Sequence, residues 1–292
     1  MSPHMSPPMG GDQRYTVPAL TRGLQVLTQF SRDERELSGA DLARRLKVPR
    51  ASIFRLLHTL EQLGFVERVG DSTQYRLGVA VLRLGFEYLA SMELTEHGRP
   101  VLDALRDATG YSAHLVVRDG HEVVFIGKAA GNQALFHSIQ VGARLPAHAT
   151  VLGRILLEGL DLAALTALFG SAPLKAYTQH TPTSIKKLKA LIDQHHAQGF
   201  AISQSGFETG ISTVAAPVFD DRHSVVAAVS ITVPAQQIEA PRAAMLVKAV
   251  QDAATQLSAR ISHQSRSLSP AGAQPRPAAK PHVPPPLQKL AA

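Results

Sequence analysis

The stretch "LSGADLARRLKVPRASIFRLLHTLEQLGF", residues 37–65, carries two short helices and the turn between them. Ser38 stands where an N-cap belongs. Asp41, three residues on, completes a near relative of the capping box, and Leu42 and Leu46 supply an inward stripe. "KVP" then breaks the run, because the residue before a proline is pushed out of the helical region and Pro49 suits the first position of a new helix. In that helix Ile53, Leu56, Leu57, Leu60 and Leu63 fall at i, i+3, i+4, i+7 and i+10, so they point inward, and Gly64 supplies the stop. The face left outside holds Ala51, Ser52, Arg55, His58 and Gln62, with Arg50 at its start. A buried stripe needs only solvated residues opposite it. Two arginines flanking a serine suit a partner that offers phosphates and base edges.

On the N-terminal side, "VPALTRGLQVLTQF" sets Leu20, Leu24, Leu27 and Phe30 at helical spacing and predicts a first helix. On the C-terminal side, "FVERV" and "QYRLG" flank the turn "GDST" and predict a small hairpin carrying Arg76. Three helices followed by a hairpin is the order of a winged helix-turn-helix, whose third helix is of a size to enter the major groove. Arg50, Ala51, Ser52 and Arg55 are then candidates for base-edge or close phosphate contacts. Arg44, Arg45 and Lys47 are better placed for backbone phosphates, and Arg76 lies in the wing. "VAVLRLGFEYLA", residues 79–90, is apolar on nearly all sides. Leu82, Phe86 and Leu89 on one side and Val81, Leu84 and Tyr88 on another exceed what one domain covers. The segment therefore predicts a linker helix that also pairs with a second subunit.

From about residue 98 the pattern changes. "YSAHLVVRDGHEVVFIGKA" reads as two strands around a "DG" turn and "ALFHSIQVG" as a further strand, while "HATVLGRILLEG" and "TSIKKLKALIDQHHAQ" read as helices. "STVAAPVFDDRHSVVAAVSITV" is another hairpin, and a last helix from about Pro241 to Ile261 carries Leu246, Ala249, Val250, Ala253 and Leu257 on one face. Strands joined by hairpins rather than helical crossovers predict an antiparallel sheet with helices outside it. The expected class is α+β in two domains. A flexible tail spans 1–13, the winged helix-turn-helix 14–78, the linker helix 79–97, a sensor-like domain 98–263 and a disordered Pro-rich tail 264–292.

Composition narrows the function classes. The 292 residues suffice for two cores, and no run reaches the roughly 18 apolar residues that a spanning helix needs, so a cytoplasmic protein with no membrane role is expected. The absence of cysteine excludes disulfides, thiolate metal sites and cysteine nucleophiles. A net charge of +7 invites a nucleic-acid partner, but Arg266, Arg276, Lys280 and Lys289 in the acid-free tail carry over half of it, so total charge argues only weakly. Thirteen histidines form no "HExxH", and His195 and His196, adjacent on a helix, diverge by about 100°. "SQSGFETG" lacks the "GxSxG" elbow. No catalytic residue, metal ligand or cofactor site is assigned. A hydrolase or transferase built on the second domain remains the alternative from another class.

The N-terminal stretch, extended to "FVERVGDSTQYRLGVAVLRLG", resembles the DNA-binding half of the IclR-type bacterial transcriptional regulators. "GARLPAHATVLGRILLEG" and "GFETGISTVAAPVFDDRHSVVAAVSITVP" are similar to the two signature stretches of that family's effector domain. The resemblance spans roughly residues 15 to 262. It implies a GAF-like ligand-binding domain, a homodimer or tetramer, double-stranded operator DNA and a small organic or aromatic acid as effector. It also implies a pocket walled by Ala134, His137, Val151, Leu152, Ile211 and Thr213, with Ser203 at its side and hydroxyls at Ser230 and Thr232. Ser230 and Thr232 are two apart in a strand and so share one face. Two departures stand out: Ser203 and Ser205 occupy positions where relatives often carry acids, and Thr213 stands where some carry cysteine. The expected consequence is a pocket that repels an anion less, leaving ligand identity open.

Overall fold

In the computed structural model residues 16–31, 33–90, 93–131, 139–234, 238 and 241–267 are described. The two expected tails lie largely outside these residues, as do Ala134 and His137. The chain divides into two units, one ending at Met92 and the other beginning at Glu93.

In the first unit α1 (Pro18–Leu27) starts with proline at its first position, where the missing N–H costs nothing. Its buried face is Gly23, Val26 and, just beyond, Phe30. Of the expected stripe, Leu27 and Phe30 pack on the core, whereas Leu20 and Leu24, 62% and 55% exposed, face outward. After β1 (Leu37–Ser38) comes α2 (Gly39–Leu46), capped as the sequence predicts: the Ser38 hydroxyl accepts the Asp41 N–H at 3.1 Å and donates to the Asp41 carboxylate at 2.6 Å. Lys47 turns the chain through the left-handed region, at φ 54°, and donates its N–H to the Ala43 carbonyl.

Pro49 is the extended residue before α3 (Arg50–Gln62) rather than its first helical residue. Ile53 and Leu57 are fully buried, whereas Leu63, expected inside, is exposed just past the helix end. The hairpin of β2 (Val66–Arg68) and β3 (Gln74–Leu77) gains a third strand that periodicity does not reveal: β1 pairs with β3, Leu37 opposite Tyr75. Gly78 closes this wing against the end of α3, where a Cβ would lie 2.2 Å from the Gly64 carbonyl oxygen. Val26, Leu37, Leu42, Ile53, Leu57, Val66 and Tyr75 share one core. α4 (Ala80–Ala90) follows.

The second unit begins with α5 (Glu93–Thr109), which takes up residues 93–97 of the expected linker. Among the described residues its sheet has six strands in the order β6-β5-β4-β9-β8-β7, all neighbours antiparallel: β4 (Ser112–Asp119), β5 (Glu122–Ala129), β6 (Arg144–Pro146), β7 (Ala201–Gln204), β8 (Ile211–Phe219) and β9 (Val225–Pro234). Residues 139–142, expected within a strand, form a turn before β6. The connections include α6 (Val151–Leu156), α8 (Ile185–Gln198) and an unforeseen α7 (Leu162–Phe169), held by its Asp161 cap.

Alternation along the strands sorts the sheet into two faces. Val116, Ala201, Ala215 and Ala228 pack with Val151, Ile155 and Leu188 of α6 and α8. Leu115, one residue from Val116, faces Gly98 and Leu102 of α5 instead. α5 and α9 (Arg242–Ser267) cover this second face, and α9 runs beyond Ile261 into the segment expected to be tail. Its Leu246, Val250 and Leu257 are buried as the spacing predicts. Among the described residues no helix is long and apolar enough to cross a membrane.

Candidate functional site

Two sites, one in each unit, gather the predicted residues. On α3 the side chains of Ala51, Arg55, His58 and Gln62 are exposed, with Arg50 exposed at the N-terminal end and Ser52 half-buried beside it. Phe54 is also exposed, an aromatic surface residue that the helical stripe does not flag.

The basic residues around α3 divide into two classes. Arg44 pairs with Asp41 at 2.7 Å, Arg68 with Glu61 at 3.8 Å and Arg76 with Glu67 at 2.5 Å. Arg45 makes a two-pronged contact with Glu34, at 2.8 and 2.6 Å, which holds the Glu34 carboxyl below its ordinary range. Lys47, Arg50 and Arg55 have no acidic partner among the described residues. Arg44, Arg45 and Arg76 are thus engaged within the unit, while the cations of the turn and of α3 stay available. Along α4, Leu82, Leu84 and Tyr88 are exposed and Leu89 is half-buried; the Phe86 side chain lies outside the described residues.

The second site is a cavity on the α6 side of the sheet, with about 630 Å³ of empty space, mouth included. Strand register builds its polar wall: Ser203 opposes Thr213, and Thr213 opposes Thr232, while Ser230 lies two residues along from Thr232 on the same face. Val151 and Leu152 form the wall at the start of α6. The Thr150 hydroxyl fixes them there by accepting the Gly153 N–H at 3.1 Å, and a Cβ on Gly153 would lie 2.0 Å from the Ala147 carbonyl oxygen. Ile211 joins them, so Val151, Leu152, Ser203, Ile211, Thr213, Ser230 and Thr232 converge on one cavity, while Ala134 and His137 of the predicted wall lie outside the described residues.

Phe125, Leu145 and the loop residues Phe207 and Glu208 also line this cavity. The loop is braced, since the Thr178 and Thr181 hydroxyls donate to the Gly206 carbonyl at 3.0 and 3.1 Å and Phe207 packs on Tyr177 at 4.9 Å. Ser205, at φ 54°, turns into this loop, where its hydroxyl accepts the Gly210 N–H. The expectation of a pocket with fewer acidic residues is therefore corrected: Ser205 is not among the residues on the wall, and Glu208 of the loop is. Buried beside the cavity is His114, its ring edge-to-face with Phe125 at 5.5 Å. Burial, helped by the nearby Lys128 charge, pushes the His114 pKa down to about 4.

Comparison with known proteins joins the two sites in one protein type. The model of the IclR helix-turn-helix domain matches residues 19–70, and that of the bacterial transcriptional regulator IclR C-terminal domain matches residues 86–259. The chain belongs to the IclR family of bacterial transcriptional regulators. Among its IclR-family relatives, the Pca regulon regulatory protein of Pseudomonas putida is 35% identical over 215 residues, 73% of either chain. The transcriptional repressor IclR of Escherichia coli K12 is 29% identical over 81% of this chain and 88% of its own. An IclR-type regulator from Alicyclobacillus acidocaldarius superposes with a TM-score of 0.75 at 28% identity, covering 84% of this chain and 99% of that one. A homologue from Microbacterium hydrocarbonoxydans, solved with 4-hydroxybenzoate, shares the fold at a TM-score of 0.73 and 23% identity, over 83% of this chain and 98% of its own. The family assignment makes the helix-turn-helix unit a DNA-binding module and the protein a transcriptional regulator.

Proposed function

We propose that this regulator binds a duplex operator through α3 and its wing, and that a small organic or aromatic acid, entering the cavity of the second unit, changes that binding. The observation that carries the reading is the division among the basic residues of the first unit. Arg44, Arg45, Arg68 and Arg76 are spent on acidic neighbours, whereas Lys47, Arg50 and Arg55, on the turn and on α3, are not. Unpaired guanidinium groups on a helix of this size are suited to guanine O6 and N7 or to phosphate oxygens. Apolar walls at Val151, Leu152 and Ile211 with hydroxyls at Thr213, Ser230 and Thr232 suit a short carbon skeleton with a polar group. The exposed apolar residues Leu82 and Leu84 of α4 support assembly as a homodimer, or as a tetramer of two such pairs. Relatives named for the Pca regulon and for the acetate operon support a catabolic operon as target.

The test is footprinting on the DNA upstream of the protein's own gene, with and without a panel of organic acids. A protected segment with two half-sites, altered by one class of acid, is expected. Absence of protection would remove the operator reading, and protection that no acid alters would remove the effector reading.

A further inference from the structure

On the cavity wall and just behind it lie polar atoms without a partner among the described residues. Ser230 and His114 are each 1% exposed and stand directly opposite one another on β9 and β4. Residues so opposed hold their Cβ atoms about 5 Å apart on one face of a sheet. That face is the cavity's: Val116, two residues from His114, packs in the α6 core, while Leu115 between them faces α5. The Ser230 hydroxyl and both His114 ring nitrogens are buried without a hydrogen-bond partner among the described residues. Two neighbouring polar groups on this face have partners: the Ser112 hydroxyl accepts the Gly131 N–H at 3.0 Å, and the Lys128 ammonium donates to the Ile139 carbonyl at 2.6 Å. A buried donor or acceptor left without a partner is unfavourable, and three such atoms on two facing residues mark a place suited to a polar group.

We infer that Ser230 and His114 form a subsite at the buried end of the cavity that takes an uncharged oxygen, a hydroxyl or a keto group, which the acid carries in addition to its carboxylate. The inference rests on the reading of this cavity as the effector site. An oxygen placed between the two side chains bridges them. A neutral imidazole offers one N–H and one lone pair, and the serine hydroxyl can both donate and accept, so a ligand hydroxyl or carbonyl oxygen finds complementary partners. Burial keeps the ring neutral at pH 7. A second carboxylate at this end would lose its hydration against two uncharged groups, a poorer match. The subsite therefore selects hydroxy or oxo acids over the parent acids, a discrimination that apolar walls alone make poorly.

The experiment is calorimetry on the full chain with matched probes: benzoate against 4-hydroxybenzoate, hexanoate against 5-oxohexanoate, and adipate as a dianion. At least one oxygenated acid should bind about tenfold or more tightly than its parent. That ratio should fall toward one in both Ser230→Ala and His114→Phe. Equal affinity within both pairs overturns the subsite while leaving the effector reading intact. Failure of every acid to bind overturns both, and adipate binding best with uptake of a proton overturns the uncharged character of the subsite. A measurement that needs no variant is the NMR signal of the His114 ring nitrogens. It should move on addition of the preferred oxygenated acid and not of its parent; a ring that both leave unmoved refutes the contact.

Discussion

Replacing His114 by Phe should make the second unit less sensitive to acid. In the folded chain burial lowers the His114 pKa from 6.5 to about 4, with the Lys128 charge adding to the effect. Above pH 6.5 the ring is neutral both folded and unfolded, and the residue adds no pH dependence. Below 6.5 the unfolded chain takes up a proton that the folded chain refuses until about pH 4, so stability present above 6.5 is lost as the pH falls toward 4. At 1.36 kcal/mol per unit, the gap amounts to about 3 kcal/mol over the whole window and about 2 kcal/mol between pH 6.5 and 5. Phenylalanine preserves the edge-to-face contact with Phe125 while removing the titration. The assay is urea unfolding of both proteins from pH 7 to 5, followed by hydrogen exchange in peptides from β4 and β9. The wild type should lose about 2 kcal/mol more than the variant across that range. Parallel loss in both would refute the claim that His114 is held neutral by burial. His195, whose pKa burial and then the Arg154 charge also push down to about 4, acts in the same direction in both proteins and cancels from the comparison.

Arg55→Ala should weaken operator binding by about 1–3 kcal/mol at one base position, read by competition among operator variants, and an even loss across all sequences would contradict base contact. Lys47→Ala should lower affinity for every duplex and reduce the slope of log affinity against log salt by about 1; an unchanged slope would count against phosphate contact. Leu82→Asp should shift the sedimentation profile toward monomers, because it sets a charge among the exposed apolar residues of α4. Arg154→Met should stabilise the second unit by about 1–3 kcal/mol, since the buried guanidinium, with its pKa pushed down to about 10, has no acidic partner among the described residues. A lower melting temperature for that variant would show that the charge has a partner.

What could be read from the sequence was whatever local chemistry controls. The Ser38 cap, the Pro49 break and the buried Ile53 and Leu57 follow from neighbours within a few residues, and the structure has all of them. The face of α1 was not legible, because the side that packs runs through Gly23 and Val26 and leaves Leu20 and Leu24 outside, and glycine adds nothing to an apolar stripe. Two-residue β1 owes its existence to β3, far along the chain, and the Arg45–Glu34 pair ties α2 to the segment before β1. Neither leaves a periodic trace. Strand alternation alone puts Ser230 and Thr232 on one face, whereas Glu208 reaches the cavity only through the path of a braced loop.

His114 marks the boundary between these cases. The run "YSAHLVVRD" is buried continuously from Tyr111 to Val116, the pattern of a strand covered on both faces, where alternation no longer separates solvent from core. In such a strand a histidine cannot be a solvated residue on the outer face; it must be paired or its pKa must shift. The sequence therefore contained the anomaly but not its direction, because only the register with Ser230 shows which layer of helices the ring meets. That register places His114 on the side of α6 and the cavity rather than of α5 and α9. The same side chain thereby links a folding cost, read as acid sensitivity, to a binding role, read as preference for an oxygenated ligand. A ligand that satisfies the neutral ring should raise stability by the same amount at pH 7 and at pH 5, leaving the loss between them unchanged, since it stabilises the neutral folded state by the free energy of its own binding.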